Sequence, residues 1–204
     1  NIKHIKDTAR KNKVTLKVYP CSITDEDALN KIFNEERPNI LVHAASLVKD
    51  RWSMDVPLDF IDVNVRGSQI LINASSKVES LEQIIFISTR SAVGEVHNAS
   101  SFMSEDNAFR PVNPYGATKA AAEGLFYSHH HNSKIPLKIC RMNPIYGPRG
   151  RNDMFVKRIL NSGNKVYHPA AGMADTDTYH KAAMFFSYLN GFIADNEGFI
   201  RIDC

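Results

Sequence analysis

This sequence is poor in the residues that would place it in several large classes. Cysteine occurs three times, as Cys21, Cys140 and Cys204. The number is odd and the spacing fits no metal site, which excludes a disulfide-stapled scaffold and points to reduced thiols in a cytosol-like, cytoplasmic compartment. Uninterrupted apolar runs are short, so no stretch reads as a membrane span. Glycine is also sparse, and the first of ten is Gly67. A glycine-rich phosphate-cradling turn is therefore excluded from the first 66 positions. The net charge of +3 is small. Five bases (Lys3, Lys6, Arg10, Lys11, Lys13) against Asp7 concentrate it in the first 13 residues. That pattern reads as a solvated helix face, with no nucleic-acid or membrane partner implied.

What is present is an alternation of strand and helix signals in a chain long enough for one sizeable core. Val14, Leu16 and Val18 alternate with polar residues and read as a strand ending at Pro20. Thr24 and Asp27 resemble a capping box opening a helix to about Asn34. Ile40 to Ala45 is a continuous apolar run, as expected of a parallel strand covered on both faces. Ser46 to Pro57 reads as a loop, Leu58 to Lys77 as a helix, and Ile84 to Ile87 as a second buried strand. A long irregular stretch, Ser88 to Val112, precedes a helix opened by Asn113 and Pro114. Leu137 to Met142 is another strand, Phe155 to Leu160 and His180 to Gly191 read as helices, and Phe199 to Ile202 as a last strand. This order implies an α/β fold with a doubly wound parallel sheet.

The chemistry centres on the Asn113 helix. Tyr115 and Lys119 are four apart and leave the same helix face. A fixed ammonium favours the charged form of a neighbouring phenol, which makes Tyr115 an acid/base candidate. The small residues Ala117, Ala120, Ala121 and Gly124 suggest close packing on the sheet. In such sheets ligands bind beyond the carboxyl ends of the strands. Ser88 and Thr89 fall at one such end, and Ala44, Ala45 and Ser46 at another. The run His129 to His131 reads as a solvated helix end, since consecutive helical residues point in different directions and close no metal site.

Six segments in order resemble the extended short-chain dehydrogenase/reductase family, in its nucleotide-sugar epimerase and dehydratase branch. They are Cys21 to Asp25, His43-Ala44-Ala45, Asn64 to Gly67, Phe86 to Gly94, Tyr115-x-x-x-Lys119, and Arg141 to Gly147. Arg51-Trp52-Ser53 and Tyr146 to Met154 are most similar to UDP-glucuronate 4-epimerases. The resemblance implies a Rossmann-like domain over residues 1–150, incomplete at its N-terminus, and a partial substrate-binding region over 151–204. It implies Thr89, Tyr115 and Lys119 as catalytic residues. Ser22, Ile23, Ala44, Ala45, Ser46 and Asn64 would join Tyr115 and Lys119 in holding NAD, or NADP. Arg51, Ser88, Asn143, Arg149 and Arg151 would bind a sugar nucleotide such as a UDP-sugar, with Arg151 on a sugar carboxylate. The implied reaction is a transient oxidation at C4, and the implied assembly a homodimer.

Departures from the family pattern are specific. The family's opening strand, glycine-rich turn and helix are not among these residues. Its adenine-side Asp is Ser22 here, and its diphosphate-gripping Arg falls on Asp175. Two expectations compete: an internal piece of a longer enzyme, or a degenerate member serving as a structural subunit of a larger complex. A carbonyl reductase acting on a non-sugar substrate would use the same Thr89, Tyr115 and Lys119.

Overall fold

The computed structural model describes residues 2–94 and 104–145. Two compact units divide the chain, Asn1–Pro144 and Ile145–Cys204. The helices expected at 155–160 and 180–191, and the strand at 199–202, lie outside the described residues, as do Arg149, Arg151 and Asp175.

The sheet has three parallel strands, β1 (Ile40–His43), β2 (Gln83–Thr89) and β3 (Leu137–Met142), in that spatial order. Register places His43 beside Phe86, and Ser88 beside Arg141. Two crossovers connect the strands. The first runs through α3 (Asp50–Asp55), α4 (Pro57–Phe60), a π-helical turn at Ile61–Arg66, and α5 (Gly67–Ser75). The second contains a 3-10 turn at Arg90–Ala92 and α6 (Pro114–Ser133). Before the sheet come α1 (Ile2–Lys11) and α2 (Glu26–Glu36). The core joins Leu29 and Phe33 of α2, Ile70, Leu71, Ile72 and Ala74 of α5, Ile84 and Phe86 of β2, and Ala122 and Phe126 of α6.

Several local expectations are corrected. Residues 14–20 form no strand and are exposed, because an alternating pattern makes a strand only where a ladder partner exists. The cap of α2 is Asp25, whose carboxylate accepts from the Ala28 N–H at 3.0 Å, so the helix starts later than Thr24 would have it. Among the described residues β1 is an edge strand covered on one face. Leu41 and His43 turn inward, while Ile40 and Val42 are exposed. The stretch 46–57 contains α3. On α6 the inward residues are Gly116, Thr118, Lys119, Ala122, Glu123 and Phe126, whereas Ala117, Ala121 and Gly124 face outward. At 100° per residue those two sets occupy different sides of the helix. The basic α1 buries no residue, as expected of a solvated face.

Candidate active site

The site is built where α6 begins. Asn113 caps the helix by accepting from the Gly116 N–H at 2.8 Å, and Pro114 takes the first turn. Gly116 is pressed against the turn that follows β2. A Cβ at this position would lie 2.2 Å from the Ser91 carbonyl oxygen. Only a residue without a side chain allows that approach. The contact brings the residue after Tyr115 onto the segment two residues beyond Thr89. Thr89 Oγ1 accepts from the Ser91 N–H at 3.2 Å, which leaves its own O–H as a donor. Gly94 closes the same turn at φ +73°, with Arg110 N–H donating to Val93 O at 2.8 Å.

Lys119 is 3% exposed. Its ammonium donates to the Ile87 carbonyl at 2.6 Å and lies 4.1 Å from the centroid of the Phe86 ring. Burial draws its pKa down to about 8, with the Glu123 carboxylate opposing the shift. Tyr115 is half-buried, its ring edge-on to Phe60 at 6.3 Å. The Thr118 hydroxyl donates to the Tyr115 carbonyl at 2.9 Å, tightening the first turn. The structure thus gathers Thr89, Tyr115 and Lys119 around the start of one helix.

The flanking residues divide. Ala44 and Ala45 are exposed beyond the end of β1, leaving that edge open. Ser46 is half-buried and donates to Asn64 Oδ1 at 2.9 Å. Asn64 lies in the π-helical turn, is 2% exposed, and is committed within the protein. Its amide donates to Leu47 O and Thr118 Oγ1 and accepts from Leu47 N–H as well as Ser46. This corrects its expected role as a direct cofactor ligand: its side chain has no hydrogen-bonding capacity left, and it instead pins the loop after β1 to α6. Ser22 is exposed and bonds Thr24 Oγ1 at 2.8 Å. The Ile23 side chain packs against Gly67 and the core. Arg51 is exposed on α3, and Asn143 is exposed just after β3.

Ser88 was expected to contact substrate, but its hydroxyl is committed inside the protein. Successive strand residues point to opposite faces, and Ser88 shares with Phe86 the face turned to α6. Ser88 is 4% exposed and donates to Glu123 Oε1 at 2.5 Å. Glu123 also receives Arg141 through Nε at 3.0 Å and Nη2 at 2.9 Å. Glu123 is the residue that sequence reasoning overlooked. The signal was present: it continues the spacing of four from Tyr115 and Lys119 on one helix face. His43 is a further buried polar group, 3% exposed, with Nε2 3.0 Å from Ser68 Oγ and its ring against both Phe86 and Phe126. Burial holds its pKa at about 3, so the imidazole is neutral. Among the described residues no cluster of His, Cys, Asp or Glu could hold a metal ion, and His130 Nδ1 instead bonds the Ile135 carbonyl at 2.6 Å.

Comparison with known proteins agrees with this geometry. Residues 3–173 match the family model described as the NAD dependent epimerase/dehydratase family. Protein CapI of Staphylococcus aureus is 31% identical over 154 residues, covering 74% of this chain and 43% of that protein. The dTDP-D-glucose 4,6-dehydratase of Dictyostelium discoideum is 28% identical over 158 residues, covering 73% of this chain and 36% of that one. Among solved structures, a UDP-glucuronic acid 4-epimerase from Bacillus cereus, in complex with UDP-glucuronic acid and NAD, matches at 29% identity with a TM-score of 0.65. That match covers 76% of this chain and 48% of that one, so the chain spans about half or less of the relatives it matches. The shared parallel sheet, with Thr89 at a strand end and the Tyr115–Lys119 helix beside it, goes with that sequence match: the chain belongs to the NAD dependent epimerase/dehydratase family.

Proposed function

We propose that this protein carries the oxidation site of an NAD-dependent nucleotide-sugar epimerase or dehydratase, with a UDP-sugar such as UDP-glucuronate as substrate. The observation that carries the reading is a buried lysine one helical turn from a tyrosine, on a helix whose start abuts the turn after Thr89. The described residues fit the reactive end of a nicotinamide cofactor. Ala44 and Ala45 leave an open strand end, and Lys119 places its ammonium between the Phe86 ring and the Ile87 carbonyl. When bound, NAD would supply the hydride acceptor and return the hydride later in the cycle.

The chain's own residues handle the proton. Tyr115 takes it from the sugar hydroxyl, and the Lys119 charge favours the phenolate that does so. Thr89 donates its O–H to the reacting oxygen, held in direction by the Ser91 N–H behind it. Asn64 keeps the loop after β1 in place against α6. By the sequence resemblance alone, Arg51, Asn143, Arg149 and Arg151 are proposed as contacts of the sugar nucleotide. The outward small face of α6, where Gly124 meets open space, supports a homodimer. The free thiols Cys21 and Cys140 support a cytoplasmic setting.

The test is product analysis. The protein is incubated with NAD and, separately, UDP-glucuronate, a dTDP-hexose, and a panel of small ketones with NADH. Conversion of a sugar nucleotide to its C4 epimer or 4-keto product is expected. Turnover of the ketones alone would replace the reading with carbonyl reduction.

A further inference from the structure

Glu123 has no part in the reaction as written, yet it is 2% exposed and both of its carboxylate oxygens are hydrogen-bonded. Its Oε1 accepts from Ser88 Oγ at 2.5 Å and from Arg141 Nε at 3.2 Å. Its Oε2 accepts from Arg141 Nε at 3.0 Å and Nη2 at 2.9 Å. Arg141 continues outward, donating from Nη1 to the Glu105 carbonyl at 2.6 Å and stacking 4.8 Å from the Phe109 ring. One carboxylate therefore ties together the ends of β2 and β3, the 105–109 loop and α6. Two of these parts bear directly on the site: Ser88 is the residue next to Thr89, and α6 carries Tyr115.

A buried carboxylate this tightly held is costly to desolvate, and a purely apolar replacement often serves stability as well. A role beyond stability is therefore worth asking for. Lys119 lies one turn away on the same inward face, and its own hydrogen bond goes to Ile87 on β2, the residue preceding Ser88. The ammonium and the carboxylate thus grip adjacent residues of one strand end. We propose that Glu123 is a positioning residue for the oxidation site: it fixes the strand end beneath Thr89 and is the anion that balances Lys119. This inference rests on the reading of Tyr115, Lys119 and Thr89 given above.

The ionisable groups around Lys119 are few. Tyr115 and Glu123 share its helix face. His43 faces it from β1 and is neutral. Arg141 on β3 is spent on Glu123, and β2 contributes no titratable side chain beside it. On the elements packed against α6, Arg90 lies in the 3-10 turn, Asp50, Arg51 and Asp55 lie on α3, Asp59 on α4, and Lys138 and Cys140 on β3, while Asp62 and Arg66 pair with each other at the surface. Glu123 is thus the buried anion of the group, and it raises the proton affinity of Lys119 against the effect of burial.

The experiment is a titration of Lys119 by NMR, using protein labelled with 13C at the lysine ε carbon and assigned by the resonance missing from Lys119→Met. A wild-type midpoint near 8 is expected. Glu123→Gln keeps the shape and removes the charge. Its midpoint is expected to fall by about half a pH unit or more. Glu123→Asp keeps the charge and retracts it by one methylene, so a smaller fall is expected; it decides the matter if the glutamine variant does not fold. Ser88→Ala leaves the charge in place and leaves the midpoint unmoved. An unshifted Lys119 in a folded Glu123→Gln or Glu123→Asp protein overturns the proposal. In the turnover assay, the basic limb of kcat against pH follows the same displacement, and a limb that stays put while the lysine moves also overturns it. Wild-type protein that turns over no sugar nucleotide counts against the oxidation-site reading alone, because the lysine titration needs no substrate.

Discussion

His43 makes this fold sensitive to mild acid, and the size of the effect can be worked out. The Ser68 hydroxyl has one proton, which it donates to the Asn64 carbonyl at 2.6 Å. The 3.0 Å contact between Ser68 Oγ and His43 Nε2 therefore has the imidazole as donor, so the ring is the neutral Nε2–H tautomer. Adding a second proton would put a charge against the Phe86 and Phe126 rings, in the field of Lys119. Burial first and that charge second hold the pKa at about 3, against 6.5 in the unfolded chain. Between those values the unfolded state binds more protons, so stability falls as pH falls. From pH 7 to pH 4.5 the loss is about 2.5 kcal/mol, a sizeable part of the 5–15 kcal/mol typical of a domain. The assay is urea unfolding of wild type and His43→Gln at both pH values. Carboxylates common to both proteins cancel in the difference. The variant is expected to be less stable at pH 7, having lost ring packing, but to lose about 2.5 kcal/mol less than wild type on acidification. Equal pH dependence in the two proteins would refute the assignment.

Three further outcomes follow from the geometry. Gly116→Ala drives a Cβ to within 2.2 Å of the Ser91 carbonyl oxygen, so it should cost about 1–3 kcal/mol in chemical denaturation and misalign the turn beyond Thr89. Asn64→Leu strands the Leu47 backbone and the Thr118 hydroxyl, with an expected loss of about 1–3 kcal/mol and faster hydrogen exchange at Leu47. Arg141→Met leaves the Glu123 carboxylate buried without its cation and should destabilise by about 3–5 kcal/mol; replacing both partners with apolar residues should recover much of that loss in a double-mutant cycle.

The amino-acid pattern carried most of this arrangement, and its gaps have physical causes. β2 was legible because a run of branched and aromatic residues, Ile84 to Ile87, between turn signals admits few other readings. The start of α6 was legible because Asn113 and Pro114 each have one favoured place at a helix terminus. Residues 14–18 misled because alternation reports a preference for one buried face but not whether a ladder partner is present. Ser88 misled because two adjacent hydroxyl residues look alike in a sequence, while a strand sends them to opposite faces. Asn64 stood out in the sequence, but its task depends on partners from two distant segments, the loop at Ser46–Leu47 and Thr118 on α6. The small residues of α6 were read as the inward face, when the larger Lys119, Glu123 and Phe126 occupy it. Glu123 was open to view at the next spacing of four, but its value depends on Ser88 and Arg141, which only the pairing of β2 with β3 brings together.

In the proposed reaction Tyr115 moves the proton. Wild type and Tyr115→Phe, both shown to be folded by circular dichroism, are given the sugar nucleotide that the product screen selects, with NAD, and initial rates are compared. A fall of about a hundredfold or more in kcat, with KM for the sugar nucleotide little changed, is expected. A Tyr115→Phe protein that turns over at the wild-type rate would contradict it.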